Sequence, residues 1–99
     1  MDIIVQHTVR DYDEWKATFE EHESERTRFG CKGHTIFRDA DSPNNVTILM
    51  SWESRERADE FMRSPSLQEA MKKGGVTSEP RATWLDEDET RTYTASRAA

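Results

Sequence analysis

The stretch Val46-Thr47-Ile48-Leu49-Met50-Ser51-Trp52 (VTILMSW) is the most apolar segment of an otherwise polar chain. Its β-rich alternation reads as a strand. Val46, Ile48, Met50 and Trp52 point to one side, and Leu49 points to the other. A strand that is apolar on both faces belongs in a sheet covered on both faces. What supplies the two covers follows from the segments around it.

Upstream, "DIIVQHTV" (residues 2–9) alternates and reads as a first strand. Its odd positions, Ile3, Val5, His7 and Val9, form the more apolar side. Asp11 then caps a helix, with Glu14 three residues later in a capping-box pattern. The buried stripe of that helix runs through 12, 15 and 19 and continues to 22, 26 and 29, where Gly30 is a natural terminator. "HTIFRDA" (34–40) is a second strand, and "DSPNN" is dense in turn residues. After the Val46–Trp52 strand, a second helix begins near Ser54 and buries Ala58, Phe61 and Met62. Ser64-Pro65 restarts it, with proline where a first turn tolerates it, and Leu67, Ala70 and Met71 continue its apolar face. Gly74-Gly75 ends that segment and "RATWLDE" (81–87) is a fourth strand. The order β-α-β-β-α-β is the split βαβ, ferredoxin-like α+β plan: a four-stranded antiparallel sheet with two helices on one face. The other face has no cover within the chain, so a second copy of the same sheet is the expected cover.

Composition agrees. Ninety-nine residues make one domain near the lower end of single-core size, with one third hydrophobic residues and a mean hydropathy of −0.98. Self-association into a homodimer would supply the missing burial. The net charge of −6 argues against nucleic acid as a partner. No charged-then-apolar leader and no apolar run of about 18 residues is present, so no membrane association and a cytoplasmic location are expected. Residues 1–88 are read as the domain and 89–99 as a polar tail, flexible or ordered by the dimer partner. Cys31 is the single cysteine, which excludes an intrachain disulfide; after the helix-ending Gly30 it reads as a space-filler rather than a nucleophile.

The stripe of the first helix raises the functional question, because it places His22 and Arg26 where core contacts belong. A helix rises about 1.5 Å per residue and a strand about 3.3 Å. Counted back from the turn near Asp11, His22 falls level with Val5, Gln6 or His7, so His7 and His22 are expected to share one cavity. Arg26 falls one turn further, where the end of the neighbouring strand would bring Trp52 under its guanidinium as a cation–π partner. The structural readings stand beside this: Arg26 snorkelling to water or pairing with Glu23, and His22 as a satisfied, semi-buried histidine.

With these elements in place, the chain resembles the antibiotic-biosynthesis-monooxygenase-like ("cyclase") group of the dimeric α+β-barrel superfamily. The likeness runs from "IIVQHTVRDYDEWKATFEEHESER" through "FRDADSPNNVTILMSWES" to "ADEFMRSPSLQEAMKKGGV". It implies a dimer with sheets packed face to face and a ligand cavity in each protomer between sheet and helices. The superfamily includes cofactor-free quinone-forming monooxygenases, polyketide cyclases and haem-degrading enzymes. The haem branch is disfavoured, because the positions matching its Trp and haem-binding His are Phe61 and Met71.

If the cavity is catalytic, the chemistry assigns roles. A neutral imidazole is a natural base for an acidic C–H or phenolic O–H, which makes His22 and His7 the candidates, and Arg26 would stabilise the resulting enolate or phenolate. Trp15, Phe19, Trp52, Phe61 and Trp84 would hold a flat, apolar or aromatic ligand. The reading is a small-molecule-binding protein, a cofactor-independent monooxygenase or cyclase acting on an aromatic or polyketide-like substrate by proton abstraction. One alternative is a non-catalytic ligand-binding or oligomerisation module. The other is a metal-dependent enzyme using His7 and His22, which the spacing of His7, His22 and His34 does not favour.

Overall fold

The structure is a computed structural model that describes residues 1–94. Its elements are β1 (Asp2–Thr8), α1 (Tyr12–Glu21), α2 (Glu23–Arg28), β2 (Cys31–Arg38), β3 (Asn45–Trp52), α3 (Arg55–Met62), α4 (Pro65–Lys73) and β4 (Arg81–Leu85). The four strands form one antiparallel sheet in the order β2-β3-β1-β4, the ferredoxin-like arrangement. Among the described residues no helix is long and apolar enough to cross a membrane. Residues 86–94 carry no helix or strand, and the rest of the tail, 95–99, lies outside the described residues.

Register decides which side chains meet. Ile3 stands opposite Met50, Val5 opposite Ile48, and His7 opposite Val46. All of these are buried, and with Val9, Trp15, Trp52, Ala58 and Phe61 they form the core under the helices. Because side chains alternate, the next pairs face away: Ile4 opposite Leu49, and Phe37 opposite Thr47. On that outer face Phe37 is 52% exposed and Leu85 37%, while Ile4 and Leu49 are half-buried between their neighbours. β2 begins at Cys31, earlier than the sequence pattern suggests, because a bulge between Cys31 and Gly33 lets the strand reach Trp52.

Three of the described helices, α1, α3 and α4, start where a side chain caps them, whereas α2 continues from the break at His22 without a side-chain cap. Asp11 accepts from the Glu14 amide (3.0 Å), Ser54 from that of Arg57 (3.2 Å) and Ser64 from that of Leu67 (3.3 Å). Gly30 (φ +96°) closes α2, a conformation that a side chain would strain, and its carbonyl accepts from the Glu53 amide. The long first helix is not continuous. His22 leaves the α-helical path (φ −88°, ψ 4°), and its amide is shared between the Thr18 and Phe19 carbonyls at 3.1 and 3.3 Å. The Phe19 carbonyl also accepts from Arg26 Nη1 at 2.7 Å, so the buried guanidinium obtains a backbone acceptor at the break. Hydrophobic periodicity cannot register an acceptor of this kind.

Ser64 ties the two halves of the second helical segment: it is buried, caps α4, and donates from Oγ to the Phe61 carbonyl at 2.7 Å. Ser64→Ala is expected to destabilise the fold by about 1–2 kcal/mol, the cost of a lost cap. Urea unfolding monitored by circular dichroism measures this as a lower midpoint with an unchanged slope.

Candidate functional site

A cavity of about 380 Å³ lies between the inner face of the sheet and the helices. The sheet contributes Val5, His7, Ile48, Met50 and Ala82; α1 contributes Trp15, Thr18 and Phe19. His22 and Arg26 stand at one side, and Phe61 and Met62 of α3 at another. The roof is α4, through Leu67, Gln68, Ala70 and Met71. No residue of α4 is fully buried: Leu67 packs partly against the core, and Ala70 and Met71 line the cavity half-buried. A volume of this order suits a ligand of roughly 300–1,000 Å³ sites, mostly apolar with few polar groups.

His22 is held by a hydrogen bond between its Nε2 and Ser66 Oγ at 3.1 Å, and its ring lies 5.6 Å from that of Phe61. Burial, then the nearby Arg26 charge, pushes its pKa below the ordinary value, so the imidazole is neutral at pH 7. His7, on the opposite wall, meets the Trp15 ring edge-on at 5.5 Å, and its Nδ1 is buried without a hydrogen-bond partner. Burial lowers its pKa too. Arg26 is 3% exposed and lies over the Phe19 ring at 3.6 Å, in addition to its bond to the Phe19 carbonyl.

The cavity thus brings together His7, His22, Arg26, Trp15, Phe19 and Phe61. It does not include two aromatics that the sequence pattern suggests. Trp52 is fully buried against Phe61 (centroids 5.1 Å apart) in the core behind the cavity. Trp84 stands opposite Ile3, beyond the cavity, where the Arg55 guanidinium covers its ring at 4.9 Å. The partner of Arg26 is accordingly Phe19 rather than Trp52, because the break at His22 folds the guanidinium back over α1. The sequence reading also missed Thr18, Gln68 and Glu79 as wall residues and Ser66 as the partner of His22. The amphipathic stripe of α4 was the available signal for Gln68; the loop before β4 offers no periodicity from which Glu79 could be placed. Among the described residues no three His, Cys, Asp or Glu side chains converge as metal ligands would.

A family model described as antibiotic biosynthesis monooxygenase matches residues 10–73, the segment that carries all four helices. The chain belongs to this family. Solved structures share its fold at low identity. A Bordetella bronchiseptica structure carrying the same family description superposes with a TM-score of 0.74 at 20% identity, over 89% of this chain and 96% of that one. SnoaB, a cofactor-independent oxygenase from Streptomyces nogalater, gives 0.69 at 18% identity, over 88% and 93%. A conserved protein from Methanosarcina mazei Go1 gives 0.65 at 16% identity, over 83% and 86%. No curated protein matches.

For this antibiotic biosynthesis monooxygenase family member, the histidines give a pH signature. His7, His22 and His34 are all held below the ordinary 6.5, with burial the first cause in each. The unfolded chain therefore binds more protons than the folded one between the native and ordinary values, and stability rises with pH across that window. Acidification from about pH 7.5 to 5.5 is expected to lower the unfolding midpoint. NMR titration of the imidazole rings checks the cause: all three midpoints should fall below 6.5.

Proposed function

We propose that this protein is a cofactor-independent monooxygenase for a flat, apolar, aromatic or polyketide-like substrate, working by proton abstraction. The observation that carries the reading is the placement of His22, neutral and held by Ser66, on the wall of an apolar cavity that Arg26 also lines. The Nε2–Ser66 Oγ hydrogen bond fixes the ring, and in the tautomer that carries the proton on Nε2 the other nitrogen, Nδ1, is the proton acceptor. Arg26 offers fixed positive charge to the enolate or phenolate that results. His7 is a second neutral imidazole for a substrate hydroxyl. Trp15, Phe19 and Phe61 hold the ring system. The carbanion adds O2, and loss of water from the hydroperoxide leaves a carbonyl, so CH2 and O2 become C=O and H2O, with the abstracted proton returned in the water. The likeness to SnoaB, itself a cofactor-independent oxygenase, supports this choice over ring closure.

The test is oxygen consumption with a hydroxyanthrone, a tricycle with an acidic methylene, alongside binding of quinol and polyketide-like compounds. His22→Ala should cut kcat by at least about 10²-fold with KM little changed, as expected for loss of a general base. Ser66→Ala, which leaves the imidazole but frees its orientation, should cost less. Binding without turnover in the wild type would instead identify a ligand-binding module.

The outer face of the sheet is the proposed homodimer interface. Phe37 and Leu85 are exposed there beside Ile4 and Leu49, and sheet-to-sheet packing would cover all four. Sedimentation should give twice the 11.5 kDa chain mass. Replacing Phe37 and Leu49 together by lysine should return a folded monomer.

A further inference from the structure

The cavity is closed along one edge of α4 and open along the other. Ser66 bonds His22 at 3.1 Å and Lys73 Nζ reaches Glu21 at 2.7 Å, so both ends of α4 are fastened to α1 and its C-cap. Among the described residues no side chain of α4 bonds segment 77–80. That segment is fastened to β1 instead: the Thr77 amide donates to the Thr8 carbonyl at 2.9 Å, and Ser78 Oγ accepts from the Thr8 amide at 2.8 Å. Two rims held by different partners leave a gap between them. The sheet is bare at the same place, since Ala82 stands opposite the buried Val5 on the inner face and is itself exposed.

Outside that gap lies a second hollow of about 310 Å³. It shares Gln68, Met71 and Pro80 with the main cavity, so the two spaces meet at those side chains. Met71, Val76 and Pro80 line it, each half-buried. Val76 is held in place, because Gly75 (φ +74°) turns the chain back from α4 and Val76 then bridges Val9. The charged groups at the hollow, Glu69 and Lys72, are exposed and of opposite sign, so they select no net charge. Ser78 Oγ is already engaged by the Thr8 amide. What remains for a ligand is apolar surface continuous with the apolar cavity.

We infer that this hollow is a second subsite, which takes an unbranched hydrocarbon chain carried by the aromatic ligand. The ring system lies inside, and the chain leaves between Met71 and Pro80 to cover Val76. The inference rests on the cavity being the ligand site proposed above, and it narrows the substrate class to alkyl-substituted aromatic compounds. A chain suits the junction better than a second ring, because the thioether of Met71 adapts to a narrow guest while Pro80 is rigid. A fully buried methylene is worth about fourfold in affinity, and one half-covered in an open hollow about twofold.

Calorimetry with 2-naphthol and its 6-methyl, 6-propyl and 6-pentyl homologues tests the subsite on the wild-type protein. Affinity should rise about twofold per methylene, and at least about tenfold from methyl to pentyl. A 6-substituent of the same length built as an ether chain, which water solvates better, should lose most of that gain. Length alone does not locate the chain, so position is read separately by NMR on methyl-labelled protein. The terminal methyl of the pentyl chain should give NOEs to the Val76 methyl groups. Val76→Thr, nearly isosteric, should cut the pentyl gain at least about threefold while 2-naphthol binds within about twofold of wild type. Flat affinity along the series, an equal gain from the ether chain, NOEs confined to Val5 or Ile48, a pentyl gain untouched by Val76→Thr, or no binding by any homologue overturns the inference. The wild-type series and its NOEs need no variant, so they decide the matter even if Val76→Thr does not fold. Binding of 2-naphthol without a chain gain would refute the subsite alone; a chain gain with NOEs to Val76 but no oxygen consumption from hydroxyanthrone would refute the oxygenase alone.

Discussion

Arg26 folds back over α1, stacks on the Phe19 ring and donates to the Phe19 carbonyl, and much of the site depends on that contact. An uninterrupted helix would commit its carbonyls to amides four residues on. Here the chain steps aside for one residue at His22, and the Phe19 carbonyl serves a side chain as well as a backbone amide. The same contact satisfies part of a guanidinium that is otherwise shut away from water, where leaving it bare would be costly. It also stations His22 at the junction of two helices, within reach of Ser66 on α4.

The sheet imposes the second constraint. Antiparallel pairing of β1 with β3 puts Ile3, Val5 and His7 in line with Met50, Ile48 and Val46, so one histidine is carried into an otherwise aliphatic surface. α1 packs Trp15 against that histidine. α4 does not complete the packing: its apolar stripe stays half-open above Met50, Phe61 and Met62. A close-packed core leaves few voids larger than a water molecule. A hollow of about 380 Å³ lined by a few polar groups is a departure of the kind that binding sites require.

Charge and apolar surface then divide the labour. The methionines Met50, Met62 and Met71 give the cavity adaptable walls, since thioether chains fill irregular gaps without a fixed shape. Direction would come from the polar groups that line the cavity, a neutral imidazole on each of two walls and one cation. Neutral histidines are the form that can accept a proton, and the cation that helps keep His22 neutral is also the group that would hold an anion.

Alternation in Val46–Trp52, the caps at Asp11, Ser54 and Ser64 and the terminating glycines are local signals. From them the sequence by itself determined the element order, the antiparallel sheet, the helices on one face and the inward side of β1. Periodicity and helix rise also carried His22 and His7 to one cavity, because both are repeats of a few ångströms that accumulate predictably along regular elements. Only the tertiary structure decided that Arg26 stacks on Phe19, that Trp52 and Trp84 stand outside the cavity, and that Ser66, Gln68 and Glu79 stand in or beside it. Those outcomes rest on a one-residue departure from helical geometry and on how far α4 sits above the sheet. Each is settled by competition among partners distant in sequence, which no local pattern records.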